Sequence, residues 1–127
     1  MKLKDNFFKI LNIAAYPDRT EYSVRLNSMH PVYMDHFPGN PVTPGVCIIQ
    51  AVKELVEENI ACPFFLQKIV KVRYFKAINP VNNAEITISV NISARESAYS
   101  ISATVFSGAI IFSQLSIVLN TQVTHKE

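Results

Sequence analysis

Between Asp35 and Glu54 a histidine, a cluster of prolines and glycines and the first turns of a helix fall together. Pro38, Pro41 and Pro44, with Gly39 and Gly45, crowd into eight residues that hold two of the chain's three glycines and three of its seven prolines. Proline fixes φ and gives up its donor, and glycine admits close backbone approach. Such a run makes a rigid, shaped loop rather than a strand. The sequence turns helical directly afterwards, with Thr43 expected as the N-cap and Pro44 at the first helical position. The N–H groups of Gly45 and Val46 then point out of the helix start, where the dipole favours partial negative charge. His36 sits at the other end of the loop. A histidine held beside an oxyanion-binding helix end suits proton transfer next to a carbonyl.

The elements that must position these groups follow from hydrophobic periodicity. The helix is expected from about Pro44 to Asn59, with a first turn, Val46 to Ile49, that is apolar all round and therefore buried. Gln50, Lys53, Glu54, Glu57 and Glu58 form a polar stripe opposite Ala51, Val52, Leu55 and Val56. Gln50 is the first polar residue after the apolar turn, so it should lie deepest of the stripe; Glu57 and Glu58 read as solvated charges. Asp5 is expected to cap a short helix with Phe7, Phe8 and Leu11 on its apolar face. Strict alternation predicts strands around Tyr22–Val24–Leu26, Val70–Val72–Tyr74, Ile86–Ile88–Val90–Ile92 and Tyr99–Ile101–Ala103–Val105. Ser107-Gly108 marks a hairpin leading into Ile111 to Leu119. Strands joined by short turns pair antiparallel, so one long helix and an antiparallel sheet give a two-layer α+β domain spanning residues 1–127.

The run His36-Phe37-Pro38-Gly39-Asn40-Pro41-Val42-Thr43-Pro44-Gly45-Val46 resembles the signature of the 3-hydroxyacyl-acyl carrier protein dehydratases, His-Phe-Pro-Gly-x-Pro-Val-Met-Pro-Gly-Val, and departs from it only at Thr43. Weaker similarity covers most of the chain. The resemblance implies the hot-dog fold, an antiparallel sheet wrapped around one long central helix. It also implies that His36 is the base for the α-proton, that the Gly45 N–H polarises the thioester carbonyl, and that Phe37, Pro38, Gly39, Pro41 and Pro44 shape the site. In the family a helix carboxylate from the partner subunit of a dimer assists as acid, fourteen residues after the histidine; here that position is Gln50. A neutral amide cannot act as a general acid near neutral pH. The family usually carries glutamine four residues later, where this chain has Glu54, so the two residue types look exchanged along one helical face. Glu54 is one turn away, and serving as a substitute acid would need a shifted substrate or helix.

Three functional readings from different classes follow. The first is loss of water from 3-hydroxyacyl thioesters on an acyl carrier protein or coenzyme A. The second is an accessory subunit that pairs with a carboxylate-bearing paralogue. The third is an acyl thioesterase, a reaction the same fold hosts but which Gln50 does not favour. Lys71 and Arg73, flanked by Lys68 and Lys76, either meet an acidic carrier or solubilise a strand. A formal charge of +2 with no basic run gives no case for nucleic acid. No apolar stretch reaches membrane-spanning length, and no leader pattern opens the chain. Cys47 and Cys62 are expected as reduced thiols of a cytoplasmic protein, Cys47 as a small apolar core residue. No zinc-ligand spacing occurs, and α-proton removal from a thioester needs no metal or redox cofactor. His30 and His125 are expected at the surface.

Overall fold

The structure, a computed structural model, describes residues 2–121. It contains six strands and two helices, β1 (Phe8–Ala15), β2 (Thr20–Leu26), α1 (Val32–Asp35), α2 (Gly45–Ile60), β3 (Phe64–Tyr74), β4 (Glu85–Ala94), β5 (Ala98–Ser107) and β6 (Ile110–Thr121). The strands form one antiparallel sheet in the order β1-β2-β4-β5-β6-β3, which leaves β1 and β3 at its edges. The inward face of the central strands is the predicted alternation: Tyr22, Val24 and Leu26 on β2, Ile86, Ile88 and Val90 on β4, and Ile101, Ala103 and Val105 on β5 are all buried. Against them pack Cys47, Ile48, Ala51, Val52, Leu55 and Val56 of α2. The sheet wraps around this helix, as expected of an α+β hot-dog domain. Among the described residues no helix is long and apolar enough to cross a membrane.

Four local expectations are corrected. The N-terminal helix is instead strand β1, which pairs with β2 through a bulge between Ile10 and Asn12. The bulge breaks the two-residue alternation, so the spacing of Phe8, Leu11 and their neighbours imitates a helical face. At the long helix, Pro44 is the N-cap with extended dihedrals and Gly45 the first helical residue. Thr43 is drawn off to bond the buried Tyr33 hydroxyl, at 2.9 Å, rather than capping the helix. The first turn of α2 is not buried all round, since Val46 is 65% exposed. It is the one apolar side chain there that faces away from the sheet. Glu57 is also no free surface charge. It accepts the Phe64 N–H at 2.8 Å and the Lys53 ammonium at 3.0 Å, and so fastens the start of β3 to the helix.

Candidate functional site

The loop between the two helices is shaped by its own sequence. Phe37 and Asn40 exchange backbone hydrogen bonds at 3.2 and 2.9 Å around Pro38 and Gly39, and Gly39 has φ +77°. Proline followed by a residue at positive φ is the pattern of a type II turn. The Val42 N–H closes a wider ring by donating to the His36 carbonyl at 2.7 Å, and the Thr43 N–H ties the loop to the Ile78 carbonyl at 2.9 Å. At the helix start the Pro44 carbonyl accepts from Cys47 at 3.0 Å and Ile48 at 3.4 Å. The Gly45 and Val46 N–H groups therefore precede the helical ladder and face outward from the positive end of α2. Tyr33 of the short helix α1 packs beneath the loop. Burial pushes its phenol up to about 12, with the Thr43 hydrogen bond pulling the other way.

His36, Phe37, Pro44, Gly45 and Val46 line one open cavity of about 590 Å³. The other wall comes from the end of β3 and the segment after it, with Ile78 and, from β6, Ser113. Tyr74 lies directly over the helix start: a Cβ placed on Gly45 would meet the Tyr74 hydroxyl and its Cζ, the latter at 2.5 Å. Any side chain at this position would have to displace the Tyr74 ring from the helix start. Tyr74 and Ser113 are cross-strand partners and share a face of the sheet. Alternation in the sequence predicts only a strand position for Tyr74 and does not single out Ser113. A bulge between Val105 and Phe106 shifts the register of β6 beside them, so both Phe112 and Ser113 are buried and no simple alternation marks Ser113 as inward.

The remaining sequence candidates lie elsewhere within the chain. Gln50 and Glu54 line a different pocket, with Lys2, Lys4 and Lys53. Glu54, not Gln50 as expected, is the deepest residue of the polar stripe: it is 6% exposed and accepts the Leu3 and Lys4 N–H groups at 2.7 Å each, partners from the N-terminal segment that bury it. The Gln50 side-chain amide donates to the same carboxylate at 2.8 Å. Glu54 thus tethers the N-terminal segment to α2, away from the His36 cavity. Lys71 and Arg73 stand on the outer face of β3, in register with Ser116 and Gln114, and line a third, shallow depression. Burial pushes the Cys47 thiol up, as suits a core residue rather than a nucleophile. His30 is half-buried: its Nδ1 accepts the Val32 N–H at 3.1 Å and its ring meets the edge of Phe7. His125 lies outside the described residues. Among the described residues no cluster of His, Cys, Asp or Glu is placed to hold a metal ion.

A family model described as "ApeI-like: ApeI dehydratase" matches residues 13–109. A search of the curated proteins finds no match. Among solved structures, the dehydratase heterocomplex ApeI:P from Xenorhabdus doucetiae superposes with a TM-score of 0.71 at 17% identity, covering 88% of this chain and 96% of that one. An uncharacterised protein from Erwinia carotovora gives 0.67 at 16% identity, covering 87% and 90%. A hypothetical thioesterase with coenzyme A from Streptococcus pneumoniae gives 0.62 at 7% identity, covering 97% and 94%. At such identities these structures share the hot-dog fold with this chain, and it is the family match, over most of the sequence and including the whole His36–Val46 loop, that places the chain in the ApeI-like dehydratase family.

Proposed function

We propose that this protein acts on 3-hydroxyacyl thioesters, removing water to give a trans-2-enoyl thioester. The observation that carries the reading is the shared cavity of His36 and the Gly45 helix start. The thioester carbonyl docks at the Gly45 and Val46 N–H groups, where the helix dipole stabilises the charge that develops on its oxygen. His36 takes the α-proton, and the C–H electron pair delocalises through C2 and C1 onto that oxygen. The pair then returns to form the C2=C3 bond as the C3–O bond breaks. The departing hydroxyl takes a proton and leaves as water, so the reaction balances without an external oxidant, reductant or metal.

The proton for the leaving group is where the chain departs from the dehydratase signature it resembles. Gln50 has no proton to give near neutral pH. It also lies outside the His36 cavity of its own chain, which fits a site completed by α2 of a second subunit. Two assemblies meet that need. In a homodimer, His36 protonated in the first step serves the leaving hydroxyl, and Gln50 positions it. In a heterodimer, a paralogue with glutamate at this position supplies the acid. The heterodimer is favoured by the Gln50–Glu54 bond, which holds the amide on a structural carboxylate.

The test is turnover of matched 3-hydroxyacyl and saturated acyl thioesters by the purified chain, alone and mixed with a glutamate-bearing family member. Enoyl product from the hydroxyacyl substrate supports the dehydratase reading, and a rate that rises on mixing supports the heterodimer. Hydrolysis of both substrates with no enoyl product would replace the reading with a thioesterase. General acid catalysis is typically worth about 10²–10⁴-fold, so the unmixed chain is expected to be slow rather than inert.

A further inference from the structure

We propose that Ser113 is the residue that recognises the substrate's 3-hydroxyl, and so selects hydroxyacyl over saturated acyl chains in this cavity. Ser113 is 2% exposed, and its Oγ has no hydrogen-bond partner among the described residues. A buried hydroxyl left unpaired costs free energy, and such groups in folded proteins call for an explanation. Here Ser113 lines the inner wall of the cavity that holds His36 and Gly45. Its cross-strand partner Tyr74 reaches the helix start, which puts Ser113 about one side chain from the place where a thioester carbonyl docks.

The choice of ligand atom follows from depth. Tyr74 is 58% exposed and lies toward the mouth of the cavity, whereas Ser113 is nearly inaccessible on the sheet. The polar amides of a pantetheine arm trail outward from the thioester sulphur. On the acyl side the chain beyond C1 is apolar except for the hydroxyl at C3. Two buried hydroxyls line this cavity, and that of Thr43 is taken by Tyr33, so Ser113, beside buried Ile78, is the one left to meet the 3-hydroxyl rather than the arm. A site built to bond a substrate hydroxyl discriminates against the analogue that lacks it, because its own polar group is then left unpaired.

The inference rests on the proposed acyl-thioester function, and matched ligands separate the two. Affinities of 3-hydroxyoctanoyl- and octanoyl-pantetheine amides, which resist turnover, are measured for the parent, Ser113→Ala and Ser113→Cys. The parent is expected to prefer the hydroxyacyl ligand by about 10-fold, the scale of one hydrogen bond. Ser113→Ala is expected to lose that preference while holding octanoyl as the parent does, with a melting temperature no lower than the parent's, since the alanine leaves nothing unpaired. Ser113→Cys keeps the shape with a weak donor and should retain only part of the preference; it decides the matter should the alanine variant fold poorly. If the parent binds both ligands equally, or the variants keep its full preference, Ser113 is not the selector and the acyl-thioester function stands. If the parent binds neither ligand, alone or mixed with the glutamate-bearing family member, the functional reading falls and the role of Ser113 falls with it.

Discussion

Glu54 accepts three N–H bonds on one carboxylate, two from the N-terminal backbone and one from Gln50. In the acyl carrier protein dehydratase signature that the loop resembles, glutamate and glutamine are expected at these two positions in the opposite order. The double change Gln50→Glu with Glu54→Gln restores that order and keeps an amide–carboxylate contact one helical turn apart. It should raise the 3-hydroxyacyl dehydration rate by about 10-fold or more, because a carboxyl capable of holding a proton replaces an amide. The change should also lower stability, since a neutral amide oxygen accepts more weakly than a carboxylate and one of the two backbone N–H groups loses its partner, a cost of about 1–3 kcal/mol. Rate and denaturant midpoint measured together check both halves; a destabilised variant with no rate gain would mean that proton donation is not the limiting deficit. At this scale His36, the turn residues and Gly45 were legible from type and spacing. The tethering by Glu54 was not, because the partners that immobilise it come from about fifty residues away.

The central strands β2, β4 and β5 were legible because each has neighbours on both sides and one face on α2, so burial enforces strict alternation. The edges were less so. The bulged β1 imitates a helical face, and β3 does not show the half-buried pattern expected of it. Apart from Phe64 and the half-buried Val72, β3 is exposed along its length, with Ile69 at 48% and Val70 at 55%, and it carries two bulges against β6. A long edge strand with uncovered apolar side chains is a template for pairing. We expect β3 to form the interface through which a second subunit delivers its α2 to the His36 cavity. Replacing Ile69 and Val70 together with lysine should weaken a homodimer by about 100-fold or more, because these half-exposed side chains lose about half of a full burial of about 1.5–3 kcal/mol at each position in both subunits. Sedimentation at micromolar concentration reads this directly; a parent chain that is strictly monomeric and still turns over substrate would contradict it.

On the scale of the whole molecule, the fold brings together groups that the sequence keeps far apart. His36 and Gly45 belong to one short loop, but the wall that faces them is built by Tyr74, Ile78 and Ser113 from the other end of the sheet. The loop could be read directly from the sequence because its proline and glycine chemistry is local. The wall could not, because it depends on the pairing of β3 with β6 and on a register shift in β6. Removal of the α-proton by His36 in this composite cavity is the central step of the proposed reaction. The most direct test is the rate of enoyl thioester formation from a 3-hydroxyacyl thioester by the parent and by His36→Ala, each alone and each mixed with a glutamate-bearing family member. The loop takes its shape from Pro38, Gly39 and backbone hydrogen bonds, so the variant should fold as the parent does. Loss of general base catalysis should slow enoyl formation at this chain's site by at least about 10²-fold. A folded His36→Ala chain that supports the parent's rate in both settings would contradict the account.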